Sequence, residues 1–259
     1  GAIDTLIIES TYGDREHDDS PTLDDLARAV GRTVERGGTV VIPAFAVDRT
    51  EVVLFHLREL MDAGRIPRVP VPVDSPMALA SLQVYRRALA DNGAEFRPQV
   101  VRDPFDTGTL HEVHDREESA ELDRGHVPSI IVSASGMATG GRVLHHLNAR
   151  LPDHRNTVVL VGFQAAGTRG RSLADGARQV KLLGRYVPVR AHVAVIDGLS
   201  VHADRSELLA WLSTATRPPS TVFTVHGEPD SSASLAAAVA ERPGWNAVVP
   251  VLGERVRLD

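Results

Sequence analysis

Short apolar runs alternate with helical patterns along almost the whole chain, and this alternation limits the fold more than any other feature. The runs are rich in valine and isoleucine, as in strands that are buried on both faces of a sheet. Between them, apolar residues recur at intervals of three and four, as Leu23, Leu26 and Val30 do, which predicts helices. Because strands that alternate with helices form parallel sheets, we predict an α/β fold of the Rossmann-like type.

Three of the predicted strands lead to side chains that can bind metal or transfer protons. The first strand of the chain leads into Glu9, and the run at 221–225 leads directly into His226. The run at 192–196 precedes the segment that holds His202. Open α/β sheets place their reacting groups beyond the carboxyl ends of the strands. We therefore expect these three side chains to meet in one site.

Composition narrows the chemistry that such a site could use. The chain of 259 residues has no cysteine, so a metal site must use histidine and carboxylate ligands. The net charge is −6, yet between residues 155 and 190 seven arginine and lysine residues oppose only Asp175. A local basic surface is compatible with a polyanion, although a plain preference for arginine would give the same pattern. Since no run resembles a membrane span or a signal peptide, we expect a cytoplasmic protein without a membrane partner.

Two glycine-rich loops follow buried runs and are candidate anion sites. One reads Ser-Gly-Met-Ala-Thr-Gly-Gly-Arg at 135–142, and the other combines glycine, threonine and arginine at 162–171. Backbone N–H groups at the start of a helix bind anions readily. Neither loop matches a Walker A or G-x-G-x-x-G sequence, so tight turns that need glycine are the alternative interpretation.

Local patterns also predict where elements start and end. Helix starts are predicted at Ser20-Pro21, at Asp48 with Glu51, at Ser75-Pro76, and at Asp204 with Glu207. Residues 91–127 are irregular, and we predict a long loop with one short helix. Residues 179–190 predict a hairpin, and a last short pair of strands is predicted near Val248 and Val256.

Together these motifs resemble the β-CASP branch of the metallo-β-lactamase fold, which includes RNA-processing endonucleases and RNase J. Glu-Ser-Thr-Tyr-Gly at 9–13 is similar to motif A of that family. Ser-Val-His-Ala-Asp at 200–204 resembles motif B, and Val-His-Gly-Glu at 225–228 resembles motif C. Both glycine loops, and Val-Asp-Ser-Pro-Met at 73–77, resemble segments of bacterial members.

The resemblance implies a domain organisation. Residues 13–195 would form the β-CASP domain, while 1–12 and 196–259 would be the C-terminal remnant of a metallo-β-lactamase αββα sandwich. The family's main metal motif, H-x-H-x-D-H, precedes motif A and is absent here. We therefore expect the chain to be the C-terminal portion of a longer enzyme.

The resemblance also implies roles for individual residues. The intact enzyme would be a zinc-dependent ribonuclease, an RNA-processing phosphodiesterase with two zinc ions. His226 would be a zinc ligand, and His202 would act as acid or charge stabiliser at the leaving oxygen, oriented by Glu9. Contacts to RNA phosphates would come from the glycine loops, through Ser135, Gly136, Arg142, Thr168, Arg169 and Arg171.

For the chain as written, a single histidine ligand predicts no stoichiometric zinc and no nuclease activity in isolation. The expected partners are RNA, the missing N-terminal segment and a second copy in a homodimer. Two alternatives stay open. One is a non-catalytic RNA-binding subunit of a processing complex, and the other is a nucleotide-binding α/β domain suggested by the glycine loops alone.

Overall fold

The computed structural model describes residues 3–17, 22–91 and 103–258. The chain divides into two compact units, one of residues 1–18 with 200–259 and the other of residues 19–199. The domain boundaries expected from the resemblance, after residues 12 and 195, stay a prediction. No helix in the described ranges combines the length and apolarity that crossing a bilayer requires.

The elements follow one another in the alternating order that the sequence predicts. The strands are β1 (Thr5–Glu9), β2 (Val40–Pro43), β3 (Val71–Val73), β4 (Leu110–Glu112), β5 (Ile130–Ser133), β6 (Thr157–Val161), β7 (Gln179–Leu182), β8 (Arg185–Pro188), β9 (His192–Ile196), β10 (Thr221–Val225) and β11 (Ala247–Val248). The helices are α1 (Thr22–Glu35), α2 (Arg49–Asp62), α3 (Pro76–Ala90), α4 (Arg116–Arg124), α5 (Val143–Arg150), α6 (Arg169–Ala174), α7 (Arg205–Leu212) and α8 (Pro229–Ala240). A short 3-10 helix at Asp197–Leu199 follows β9.

The larger unit is built on a parallel sheet with the strand order β4-β3-β5-β2-β6-β9. Side chains of a strand alternate between the two faces, so Ile42 and Val159 enter one hydrophobic cluster while Val41 and Val158 enter another. Helices pack on both clusters, which explains why these strands are apolar throughout. The α/β prediction with a parallel sheet is confirmed, and β7 and β8 form the predicted antiparallel hairpin.

The smaller unit has a parallel sheet with the strand order β1-β10-β11. Ile8 and Val222 of this sheet pack with Leu208 of α7 and Leu235 of α8. Residues after β1 lie so close to residues after β10 that a Cβ atom at Gly227 would collide with the Ser10 carbonyl. The two strand ends are therefore held together by close packing.

Most predicted helix starts are correct. The Ser75 side chain accepts a hydrogen bond from the backbone N–H of Ala78, and Asp204 with Glu207 forms a complete capping box. The capping box predicted at Asp48 is wrong, because Asp48 has a φ of 62° and makes no side-chain cap. Its carboxylate instead accepts a hydrogen bond from the Tyr85 hydroxyl. The start predicted at Ser20-Pro21 lies outside the described residues.

Two predictions about irregular regions need correction. Of residues 91–127, 92–102 lie outside the described residues. The remainder contains, besides the predicted short helix α4, the strand β4 at the edge of the larger sheet. This strand was missed because Leu-His-Glu is only three residues long and carries no apolar pattern. Near the C-terminus β11 matches the strand predicted at Val248, but residue 256 is not in a strand.

Candidate active site

The smaller unit brings together the three side chains that the sequence selected. Glu9 ends β1 opposite Val225 of β10, and His226 follows directly, while His202 lies in the loop before α7. One ligand atom from each of Glu9, His202 and His226 lies within 4.8 Å of the others. The expectation that these three groups converge is confirmed by this geometry, and their chemical roles stay a prediction.

The Glu9 carboxylate contacts Nδ1 of the His202 ring. The distance from Glu9 Oε2 to His202 Nδ1 is 3.1 Å, and the backbone N–H of Thr11 donates to the same oxygen at 3.1 Å. Burial by itself would raise the pKa of Glu9, but the hydrogen bonds from Thr11 and the nearby imidazole lower it below 4.5. A charged carboxylate makes Nδ1 the proton donor, so Nε2 of His202 is directed away from Glu9.

Thr11 is a residue of the site that sequence reasoning missed. Its hydroxyl lies 3.2 Å from Nδ1 of His226 and 3.4 Å from Nδ1 of His202, and the residue is 1% exposed. The ring centroids of the two histidines are 5.4 Å apart. The only signal in the sequence was its place between the acidic residue and the glycine of motif A.

Residues before and after His202 fix the loop that carries it. Nε2 of His17 lies 2.8 Å from the His202 carbonyl oxygen, which only accepts, so this nitrogen carries a proton. Asp204 accepts from the backbone N–H groups of His17 and Glu207, at 3.0 and 2.9 Å. The prediction that Asp204 caps a helix is therefore confirmed.

His226 is suited to hold one zinc ion. If its Nδ1 donates to the Thr11 hydroxyl, then Nε2 presents the lone pair that zinc binds. The residue has a φ of 63°, and left-handed backbone at a non-glycine residue is common at functional sites. An imidazole nitrogen is also one of the ligands that zinc prefers.

Comparisons with known proteins show which family the chain belongs to. The Beta-Casp domain family matches residues 50–173, and the Zn-dependent metallo-hydrolase RNA specificity domain matches residues 186–250. The chain belongs to the β-CASP family of metallo-β-lactamase-fold ribonucleases. The second match covers the histidines His202 and His226, and the first covers both glycine loops.

Relatives from bacteria and archaea match most of this chain. It is 37% identical over 242 residues to Ribonuclease TTHA0252 of Thermus thermophilus, over 92% of this chain and 55% of that protein. It is 32% identical over 269 residues to the transcription termination factor FttA of Pyrococcus horikoshii, over 99% of this chain and 41% of that protein. It is 33% identical over 257 residues to an RNase J-like protein of Methanocaldococcus jannaschii, over 97% of this chain and 58% of that protein. The chain thus spans about half the length of the curated relatives it matches.

The two glycine loops of the larger unit contact each other. The backbone N–H of Gly170 donates to the Met137 carbonyl at 3.0 Å, and the Gln164 amide donates to the Gly136 carbonyl at 3.3 Å. Arg169 donates to the Thr139 carbonyl at 3.1 Å. These contacts make one continuous surface of both loops.

The predicted phosphate contacts differ in what they already bind. Ser135 lies 2.9 Å from the Thr139 hydroxyl, and Thr168 caps α6 through the backbone N–H of Arg171. Arg171 itself is paired with Asp175 in an exposed ion pair. A side chain at Gly136 would collide with Phe45. These four residues therefore shape the loops, and their contact with phosphate stays a prediction.

Arg142 belongs to a buried charge network that the sequence did not reveal. Its guanidinium donates to Asp74 at 2.6 Å, and the same carboxylate lies 2.7 Å from Nε2 of the fully buried His146. Asp123 lies 2.6 Å from the other ring nitrogen, and Ser119 donates to Asp74. Arg142 thus fixes the end of the first glycine loop through an internal ion pair.

Proposed function

We propose that this chain is the β-CASP and C-terminal part of a zinc-dependent RNA phosphodiesterase. The observation that carries the proposal is the convergence of Glu9, His202 and His226 within 4.8 Å in a member of this family. The alternative, a non-catalytic RNA-binding subunit, has no need of this arrangement. The names of the relatives, ribonuclease and transcription termination factor, support RNA as the substrate class.

His202 is the proposed catalytic acid. Its ring is 34% exposed, while Glu9 holds Nδ1, so Nε2 is available to a substrate. A proton on Nε2 passes to the oxygen that leaves when the phosphodiester bond breaks, and the Glu9 carboxylate stabilises the protonated ring before transfer. Glu9 is a positioning residue in this scheme, because it acts through the imidazole.

His226 is the proposed zinc ligand of this chain. A zinc ion bound there would supply a Lewis acid for the phosphate and lower the pKa of a bound water. Thr11 orients the ring by accepting from Nδ1. Because one histidine cannot hold zinc tightly against water, this chain is expected to need ligands from the remainder of a family enzyme.

The first experiment replaces the matching segment of Ribonuclease TTHA0252 with this chain. The chimera is expected to bind about two zinc ions and to cleave single-stranded RNA, whereas the chain alone is expected to do neither. Zinc is measured by elemental analysis, and cleavage by the release of a fluorescent label. A chelator should remove the activity, and added zinc should restore it.

The unmodified ribonuclease is the control for the chimera. A chimera that folds, binds zinc and RNA, and leaves the RNA intact would support the non-catalytic alternative. Stoichiometric zinc or cleavage by the chain alone would contradict the expected need for further ligands. A cytoplasmic location and a homodimer stay predictions that fractionation and light scattering would test.

RNA contacts by the joined glycine loops form a separate prediction. Replacing Arg169 and Arg171 together with alanine should weaken RNA binding and reduce the salt dependence of the affinity. The slope against salt should fall by about 0.7 for each lost contact to a single strand. Anisotropy titrations over a salt series measure it, with Arg116→Ala, which removes an exposed arginine of α4, as the control. An unchanged slope would remove both residues from the RNA surface.

A further inference from the structure

A groove on the larger unit lies between helix α1 and strand β9, apart from the glycine loops. It encloses about 340 Å³ and is lined by all five residues of β9 and by Thr157 of β6. Its other wall carries Arg28 and Arg32 of α1, and Arg36 directly after the end of that helix. None of the roles assigned above uses this groove.

The floor of the groove is the edge of a sheet. Among the described residues, no strand pairs with the outer side of β9. The N–H of His192 and the carbonyl of Ile196 point inward, since they bond Asn156 and Gly162. Because these groups alternate along a parallel strand, the N–H and carbonyl groups of Val193 and Val195 point outward. Val195 is 44% exposed, so this edge is accessible.

The three arginines form a row alongside that edge. The N-terminal end of α1 lies at the carboxyl end of β9, because Thr22 closely approaches Gly198. At the other end, Arg36 donates to the Thr157 hydroxyl at 3.1 Å, and Thr157 pairs with His192. The helix is thus antiparallel to the strand, and a spacing of four residues places successive arginines about 6 Å apart.

The groove carries an excess of positive charge. Among the described residues that line it, Asp25 is the one acidic residue, and it pairs with Arg28 at 2.5 Å. Arg32 is exposed one turn further along. An occupant must therefore bring negative charge as well as groups that bond a strand edge.

We propose that this groove binds an extended acidic segment of a partner protein, which adds as a strand to β9. Alternate residues of a strand lie about 6.6–6.8 Å apart on one face, close to the spacing of the arginine row. A segment with carboxylates at every second position would place them opposite Arg28, Arg32 and Arg36, while its backbone bonds Val193 and Val195. The spacing of the acidic residues sets the specificity.

Two other occupants fit the groove less well. RNA offers phosphates, but these would face the outward carbonyl oxygens of Val193 and Val195. The described part of the lining also has no Phe, Tyr or Trp on which bases could stack. A second copy of the chain would bring its own arginine row to the same edge, and like charges would repel. An acidic peptide satisfies both the charge and the backbone groups.

The test uses fluorescent nine-residue peptides and the chain as it stands. One peptide carries glutamate at alternate positions, and a second has the same composition with its glutamates contiguous. A third repeats the alternating sequence with N-methyl groups on the backbone amides that would face β9, which removes donors and keeps the charge. The alternating peptide should bind at least about tenfold more tightly than either of the others, a difference of about 1.4 kcal/mol.

A matched pair of variants locates the binding. Arg32→Glu should weaken binding of the alternating peptide about tenfold or more, whereas Arg116→Glu, with the same change in net charge, should leave it within about twofold. Equal binding of the three peptides, or equal loss in both variants, would overturn the proposal. Tighter binding of a uridine nonamer that Arg32→Glu abolishes would assign the groove to RNA instead. Concentration-dependent dimers that Arg32→Glu alters and Arg116→Glu leaves intact, without binding of the alternating peptide, would assign it to a second copy.

Discussion

Replacing His202 with alanine in the zinc-loaded chimera should lower RNA cleavage about 100- to 10,000-fold. The reason is that the leaving oxygen loses its proton donor, while RNA binding and metal ligation stay in place. Single-turnover cleavage at saturating enzyme measures the chemical step directly. We expect the loss in kcat with little change in KM, because Nε2 of His202 acts in the transition state.

Two further variants make this result specific. His154→Ala removes an imidazole that is 81% exposed on the larger unit, and activity should be unchanged. Glu9→Gln keeps the shape of the side chain and removes the charge that holds Nδ1 of His202, so kcat should fall by less than in His202→Ala. Full activity of His202→Ala would exclude His202 as the acid.

Replacing Asp74 with asparagine should lower the free energy of unfolding by about 3–5 kcal/mol. The carboxylate is completely buried between His146 and Arg142, so its loss leaves the Arg142 guanidinium and Nε2 of the buried His146 without their anionic partner. Urea denaturation, followed by circular dichroism, measures the change. Asp175→Asn is the control, because its pair with Arg171 is exposed and such pairs contribute about 1 kcal/mol or less. A loss no larger than that of the control would contradict the network's role.

The same network predicts how stability depends on pH. Burial would raise the pKa of Asp74, but hydrogen bonds from His146, Ser119 and Arg142 lower it below 3.8, so its contribution is present above that pH and lost as pH falls. Burial would lower the pKa of His146, but Asp123 and Asp74 raise it above 6.5, so its contribution is present below pH 6.5 and lost as pH rises through the raised pKa. The network therefore stabilises the fold most between about pH 4 and 6.5. Asp74→Asn should flatten both sides of this profile.

The sequence was most informative where a strand end carries a reacting group. Glu9, His202 and His226 could be selected because parallel strands place their carboxyl ends at one edge of a sheet. Thr11 could not be selected, because a hydroxyl shared by two rings leaves no pattern in the chain. Asp74 was hidden for a related reason. Its partners His146 and Arg142 are 72 and 68 residues away, and only packing brings them together.

Local rules failed where long-range contacts decided the conformation. Asp48 and Glu51 have the spacing of a capping box, but the Asp48 carboxylate accepts a hydrogen bond from the Tyr85 hydroxyl and does not cap the helix. The capping box at Asp204 formed because one carboxylate oxygen stayed available to the local N–H of Glu207, while the other accepts from the distant N–H of His17. Equal sequence signals therefore gave different structures according to what lay nearby.

The missing side chain at Gly227 matters to anyone who transplants this centre into another scaffold. The Ser10 carbonyl occupies the space that a Cβ atom at Gly227 would need. Ser10 lies between Glu9 and Thr11, at the end of the neighbouring strand β1. The two strand ends pack so closely that neither can be moved without the other. A graft must transfer residues 9–11 and 226–227 together as one block.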